Sequence, residues 1–533
     1  MENAPHPQVL ENNTPDFSCS RRESITALTL AAAAPGLLTG CGATPDLPNN
    51  EIIKLGARDA VDHIRKGDLS AETYVSVLLR QAEAHKALNA FITLIPERVL
   101  EAANAVDRSR KRGDVPGRAA GLPFAVKDQI AVAGYPATGG NGALKGYVPD
   151  RSASVVHALE GAGAIVFGKT NMPDMVAGFT LDVGAASVNP WFGAPRNPYD
   201  MKRMTGGTSG GNGSALGARI VPAAIGEDTT GSIRFPAALC GVSGLRPSTW
   251  TIENALGENR PKRYPDDGIV IPPAGLQDTF GPMARTVSDL AFLDSIVTGE
   301  TAPSVDLRRA RIAVPAEAYW SEAFVDPGVA RSMQAALALL RDAGATLVEI
   351  DFEAVRTLYD DRMMAALPFA AADIEAWLAE HLPKISEAYV LSRREGLYAF
   401  PDLPVLDAHE RRNVLTRARR RFLDLFVTHG VTAILSPTVT IPAPELRTDG
   451  EKEGQSIVIA GKTFSQVWTL CRNIFWGPAL GATGITIPSG LADGLPVGLQ
   501  LEAPSGSDLH LLGLGMAIER LLGPIDPPAY VDG

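Results

Sequence analysis

Apolar residues recur at steps of three and four from Ile53 to Arg112, which predicts helices. The segment "SAETYVSVLLRQAEAHKAL" opens on Ser70, a preferred N-cap type, with Glu72 in its first turn. "PERVLEAANAVDRSRKRG" repeats the pattern and stops at Gly113. The period then changes. "LPFAVKD", Leu122–Asp128, is a short apolar run bounded by Gly121 and Gly134 and reads as a buried strand. "SASVVHALEGAGAIVFGKTN" reads as a helix, a glycine turn and the strand Ala164–Gly168. Further strands are predicted at Arg311–Pro315, Thr346–Phe352, Ala433–Thr438, Gly484–Gly490 and Val497–Ala503. The amphipathic "SDLHLLGLGMAIERLLG" predicts a closing helix. The alternation predicts an α/β layered sheet. No internal repeat or low-complexity boundary divides residues 51 to 525, so one large domain is expected there. Residues 526–533 read as a tail, and Tyr319–Arg420 as a helical insertion that shapes access to the site.

The least ordinary stretch is "GGTSGGNGSALGARIVPAAIGEDTTGSIRFP", Gly206–Pro236. Glycine turns followed by hydroxyl residues can cradle a phosphate or expose a nucleophile beneath backbone N–H groups. A Walker-type Lys-Ser/Thr does not follow these glycines, which disfavours phosphate binding. Ser232 follows Thr229-Thr230-Gly231, whose amides can converge on a developing oxyanion. A serine nucleophile needs a base. None of the eight histidines lies in these blocks, and the G-x-S-x-G elbow is absent around Ser232. A lysine serves if burial keeps it neutral. Lys127, ending the apolar "LPFAV", meets that requirement, although a surface lysine at a strand end is an equal reading of the residues alone.

The 533 residues are 45% hydrophobic and 20% charged, an ordinary globular composition. A net charge of −11 gives no basic field for nucleic acid. The N-terminus stands apart. Arg21-Arg22 precede an apolar run, Ile25–Leu38, that ends in Leu38-Thr39-Gly40-Cys41. This resembles a twin-arginine lipoprotein leader whose cysteine carries the lipid. Residues 1–41 are therefore expected to be a signal segment and 42–50 a tether, with the protein exported to the bacterial envelope, periplasmic or membrane-anchored. Contact with a membrane is expected only through that lipid. Cys240 and Cys471 lie outside the leader and read as buried free thiols, their pairing left open.

The blocks "GLPFAVKD", "GGTSGGNGSA" and "GEDTTGSIRFPAALCGVSGLRPS" together resemble the amidase signature family. "GAIVFGKTNMPD", "RNPYD", "DTFGPMARTVSDLA" and "GLPVGLQLEAP" extend the resemblance over about residues 55 to 522. It implies one large α/β domain whose central mixed, twisted sheet is covered on both faces by helices. It also implies hydrolysis of carboxamides by a Ser–cis-Ser–Lys triad without metal or organic cofactor. Carried over, Ser232 is the nucleophile and Lys127 the base. Thr208 is the bridging hydroxyl, preceded by a cis peptide, where the family's "GGSSGG" has serine; Ser209 is the fallback relay. The amides of Thr229, Thr230, Gly231 and Ser232 form the oxyanion hole, and Asp228 and Arg234 brace the loop. Thr230 replaces the family's usual glycine.

Phe235, Phe179, Trp191, Phe192, Phe475 and Trp476 suggest a pocket for an apolar or aryl group, with core packing an equal reading. The expected partner is a small-molecule amide, and the protein itself a monomer or homodimer. The tRNA-amidating relative of this family works in the cytosol with partner chains, which the leader argues against. Two alternatives remain at this point: a catalytically degenerate binding protein on the same fold, or a peptide C-terminal amidase.

Overall fold

The computed structural model describes residues 47–173, 189, 191–249, 262–265, 267–268, 278–320, 323–352, 355, 406–446, 456–459 and 461–529. Its strands are β1 (Phe91–Thr93), β2 (Pro123–Lys127), β3 (Ile165–Thr170), β4 (Ala223–Asp228), β5 (Ser243–Arg246), β6 (Thr279–Ala284), β7 (Arg311–Pro315), β8 (Thr346–Ile350), β9 (Ala433–Pro437), β10 (Ser456–Ile459), β11 (Lys462–Ser465), β12 (Thr483–Ala492) and β13 (Leu495–Ala503). Eleven of them form one sheet in the order β1-β3-β2-β4-β6-β5-β12-β13-β9-β7-β8, and β10 pairs with β11 in a hairpin. The large sheet is mixed. β3, β2 and β4 run parallel, as do β9, β7 and β8, and the pairs between β4 and β9 are antiparallel.

Side chains alternate across a strand, so a strand buried at every position must be covered on both faces. β2 shows this. Phe124 and Val126 enter one core with Ile225, Phe280 and residues of the helices Val287–Thr298 and Asp508–Leu522. Ala125 enters the other, with Tyr74 and Leu78 of the helix Ala71–Ala84 and Ala215 and Leu216 of the helix Gly210–Gly217. By the same alternation Lys127 falls on the second face, towards Gly210–Gly217.

The helices Ala71–Ala84 and Pro96–Lys111 form where the periodicity places them, and Ser70 accepts a hydrogen bond from the Thr73 N–H as an N-cap. The expectation of an insertion over Tyr319–Arg420 needs correction. Pro327–Asp342 packs Val329, Met333 and Leu337 into the first core, and β8 extends the main sheet beside β7. Ala408–His429 also joins the body, placing Phe422 and Phe426 among buried apolar neighbours. Residues 356–405 lie outside the described residues, as do the expected signal segment and the first residues of the tether.

Candidate active site

β2 and β4 are parallel neighbours with Val126 opposite Ile225, so their C-terminal ends open side by side. In open α/β sheets such ends are where ligands meet the chain. Lys127 closes β2 and is fully buried. Its Nζ lies 2.5 Å from Thr208 Oγ1, donates to Glu227 Oε2 at 2.9 Å, and lies 3.5 Å from the Glu227 carbonyl oxygen. Glu227 is the penultimate residue of β4 and is equally buried. Its second carboxylate oxygen accepts from the Thr229 hydroxyl at 2.7 Å.

Thr208 precedes the helix Gly210–Gly217, and the Gly207–Thr208 peptide is cis. This loop is held against the sheet by close backbone approach. A Cβ on Gly211 would lie 2.5 Å from the Asn171 backbone and from the Ala90 carbonyl, so only glycine fits there. Ser209 is committed elsewhere than Lys127. Its hydroxyl donates to the Glu227 carbonyl at 3.3 Å and its N–H to the Ser232 carbonyl at 3.1 Å. Thr208 is therefore the hydroxyl that meets the lysine, and Ser209 ties the two loops together.

Ser232 stands in the turn between β4 and the short helix Arg234–Leu239. The turn is built around Asp228, whose carboxylate accepts from Arg234 Nε at 3.1 Å, from Arg246 Nη1 at 3.3 Å and from the Gly231 N–H at 2.6 Å. Gly231, expected among the oxyanion donors, is thus corrected: its N–H is turned inward to Asp228. The N–H groups of Thr229, Thr230 and Ser232 have no acceptor among the described residues, and neither does the Ser232 hydroxyl. Ser232, Thr229 and Thr230 each retain about 5% exposure and Thr208 3%, whereas Lys127, Glu227 and Asp228 retain none. The turn and Thr208 thus keep slight contact with solvent, and the ionic groups have none.

Gly231 adopts φ +117°, and a Cβ there would fall 2.5 Å from Ile474 Cδ1. Both conformation and space require glycine. Ile474 supplies an apolar wall beside the Ser232 turn.

Charge under the turn is arranged in layers. Burial raises the Asp228 carboxyl, but Arg234 and Arg246 more than offset this and hold it at about 2. Arg234 also reaches Glu502 Oε1 at 2.7 Å and the Ile474 carbonyl at 3.0 Å, and burial pushes the Glu502 carboxyl upward. Arg234 and Asp228 are thus joined to Arg246 and Glu502 in one buried ionic cluster at the loop. On β3, Lys169 donates to the carbonyls of Asp128 at 3.0 Å and Pro136 at 3.2 Å, fixing the turn after β2. Burial lowers its ammonium to about 8, with Asp128 opposing that shift.

The aromatic pocket needs correction. Phe235 is buried in an apolar cluster with Met204, Leu239 and Ile474. Trp476 is buried too, its ring edge-on to Phe352 and tilted against Phe422 at 5.7 Å. Trp191 is half exposed on the outside, its indole lying over Gly142, and Phe192 takes Lys145 Nζ over its ring at 5.0 Å. Phe475 packs on the same cluster as Phe235. Phe235, Phe475 and Trp476 thus bury apolar area, the commoner use of such rings. Phe179 lies outside the described residues. Cys240 and Cys471 are free and buried, and burial pushes both thiols up.

Glu227 is the residue in contact with Lys127 that the sequence reading did not single out. A signal was present: "AAIGED" ends a small, apolar strand in two consecutive carboxylates, which burial tolerates only with partners. Arg246 and Glu502 were missed for want of any local pattern. They arrive from β5 and β13.

A protein-family model described as Amidase matches residues 73–512. Among curated relatives, a glutamyl-tRNA(Gln) amidotransferase subunit from Chloroflexus aurantiacus is 32% identical, over 85% of this chain and 94% of its own. Mandelamide hydrolase of Pseudomonas putida is 30% identical, over 86% and 90%. The solved structure of the native peptide amidase from Stenotrophomonas maltophilia superposes with a TM-score of 0.69 at 25% identity, covering 89% of this chain and 98% of that one.

Proposed function

The chain belongs to the amidase signature family and hydrolyses amide bonds, and from that premise we propose that it does so through an acyl-enzyme on Ser232. The observation that carries this reading is the contact between Lys127 Nζ and Thr208 Oγ1, under a turn that leaves the Ser232 hydroxyl uncommitted. Lys127 as free base accepts the Thr208 proton while Thr208 takes the proton of Ser232. Ser232 Oγ bonds to the carbonyl carbon, and the carbonyl π pair moves onto oxygen. The amides of Thr229, Thr230 and Ser232 receive that oxyanion, where each such donor contributes about 3–4 kcal/mol. Protons return through Thr208 to the departing amine, and water then cleaves the ester. No step calls on a metal or organic cofactor.

A small carboxamide with an apolar or aryl acyl side is the substrate class. Ile474 beside Gly231 supports it, as does similarity to a protein named mandelamide hydrolase. Similarity to a peptide amidase makes a peptide C-terminal amide the second candidate. The twin-arginine pair and the box ending in Cys41 support an exported enzyme rather than a cytosolic component of transfer-RNA amidation. The test is a panel of primary amides, anilides and peptide amides, assayed for ammonia and amine release beside Ser232→Ala. Turnover is expected on at least one aryl or apolar amide and is abolished in the variant. Undiminished turnover in the purified variant would contradict the proposal.

A further inference from the structure

Glu227 has no part in the mechanism above, yet it touches the base. Its carboxylate lies 2.9 Å from Lys127 Nζ, both side chains are fully buried, and its other oxygen is fixed by the Thr229 hydroxyl at 2.7 Å. We propose that Glu227 is a positioning residue for Lys127, a carboxylate that aims the amine at Thr208 and stabilises the ammonium formed when Ser232 attacks. This rests on the acyl-enzyme reading and adds to it.

The geometry divides the labour at Nζ. A free amine has one lone pair and two N–H bonds. With Glu227 Oε2 and its carbonyl oxygen as the two acceptors, the lone pair is left for the Thr208 hydroxyl. Once the Thr208 proton has moved onto Nζ, the new ammonium sits against a carboxylate already in place, in a site closed to solvent. The interaction is stronger after proton transfer than before, which is the condition for an effect on rate.

Among the described residues the charges facing Glu227 are few. From β2 there is Lys127, from β5 the Arg246 guanidinium, and on its own strand Asp228, which Arg234 and Arg246 neutralise. Glu502 lies behind Arg234. Arg246 is engaged with Asp228, so the direct ion-pair contact of Glu227 is with Lys127.

The experiment is the pH–rate profile of kcat/KM for Glu227→Gln and Glu227→Asp on an amide that the parent enzyme turns over. Removing the charge should move the acidic limb down by about one pH unit or more, the usual effect of a counter-charge at this distance. The plateau should fall about tenfold or more, because the ammonium formed in the transition state loses its counter-charge. Glu227→Asp keeps the charge but withdraws it by one methylene. It should shift the limb the same way by less, and it covers the case in which the amide variant does not fold. A folded, active variant whose limb coincides with the parent's overturns the proposal and leaves the acyl-enzyme reading intact. Turnover surviving in Ser232→Ala would sink that reading and the role of Glu227 with it.

Discussion

Lys127 Nζ stands 2.5 Å from Thr208 Oγ1, and the hydroxyl of the next residue, Ser209, points to a backbone carbonyl instead. On the proposed mechanism a threonine therefore occupies the relay position where a serine is usual in the family. Its γ-methyl restricts χ1, which favours one hydroxyl orientation, but it adds no proton chemistry of its own. Thr208→Ser is expected to retain activity within several-fold. Thr208→Val, of the same shape without the hydroxyl, is expected to lose about 10²–10⁴ in kcat, the usual value of a proton relay. Steady-state kinetics on one amide check both. Equal activity in the two variants would move the relay away from Thr208.

The brace beneath Ser232 is ionic, and its loss should be costly. Asp228→Asn leaves the buried Arg234 and Arg246 without their shared carboxylate, a change expected to destabilise the fold by about 3–5 kcal/mol. The pH dependence follows from the depressed carboxyl. Because the folded value is about 2 against an ordinary 3.8, the contribution of Asp228 is complete above the unfolded value. It is lost as pH falls through about 2. Denaturant midpoints of parent and variant should converge over that acid range, and a constant difference down to pH 2 would contradict the assignment.

Glu519 has the opposite sign. Its carboxylate accepts the Val287 N–H at 2.6 Å and the Ser288 N–H at 3.3 Å, at the start of the helix Val287–Thr298. Burial pushes it up to about 7, and those two N–H groups only partly offset the rise. Between about 4.5 and 7 the folded protein binds more protons than the unfolded chain, so stability falls as pH rises through that window. Glu519→Gln keeps an acceptor for Val287 and should remove that component of the slope. Parallel stability curves for parent and variant would refute it.

The sequence disclosed the helices with strong periodicity and the strands that are short apolar runs, such as β2 and β7. It hid β4 and β6. β4 begins "AAIG" inside a glycine-rich stretch and ends in two acids, and β6 contains Gly281-Pro282, a pair that argues against a central strand. Tertiary context overrides both signals, since the Pro282 position pairs with Ile225 in the middle of the sheet. At the site, Ser232, Lys127 and Thr208 are the residues that the family resemblance marks, because each stands in a contiguous block. The acceptors that use up the Gly231 N–H and Lys127 Nζ were not legible, because hydrogen-bond commitment depends on three-dimensional direction. The aromatic pocket failed for a related reason: proximity in sequence to the site says nothing about which way a ring faces.

The activation of Ser232 by Lys127 through Thr208 is tested most directly by the rate at which a fluorophosphonate modifies the native protein, with the adduct mapped by peptide mass spectrometry. The expected result is one adduct, on Ser232, formed at least about 10²-fold more slowly in Lys127→Ala. An adduct on another residue, or equal rates in parent and Lys127→Ala, would contradict it.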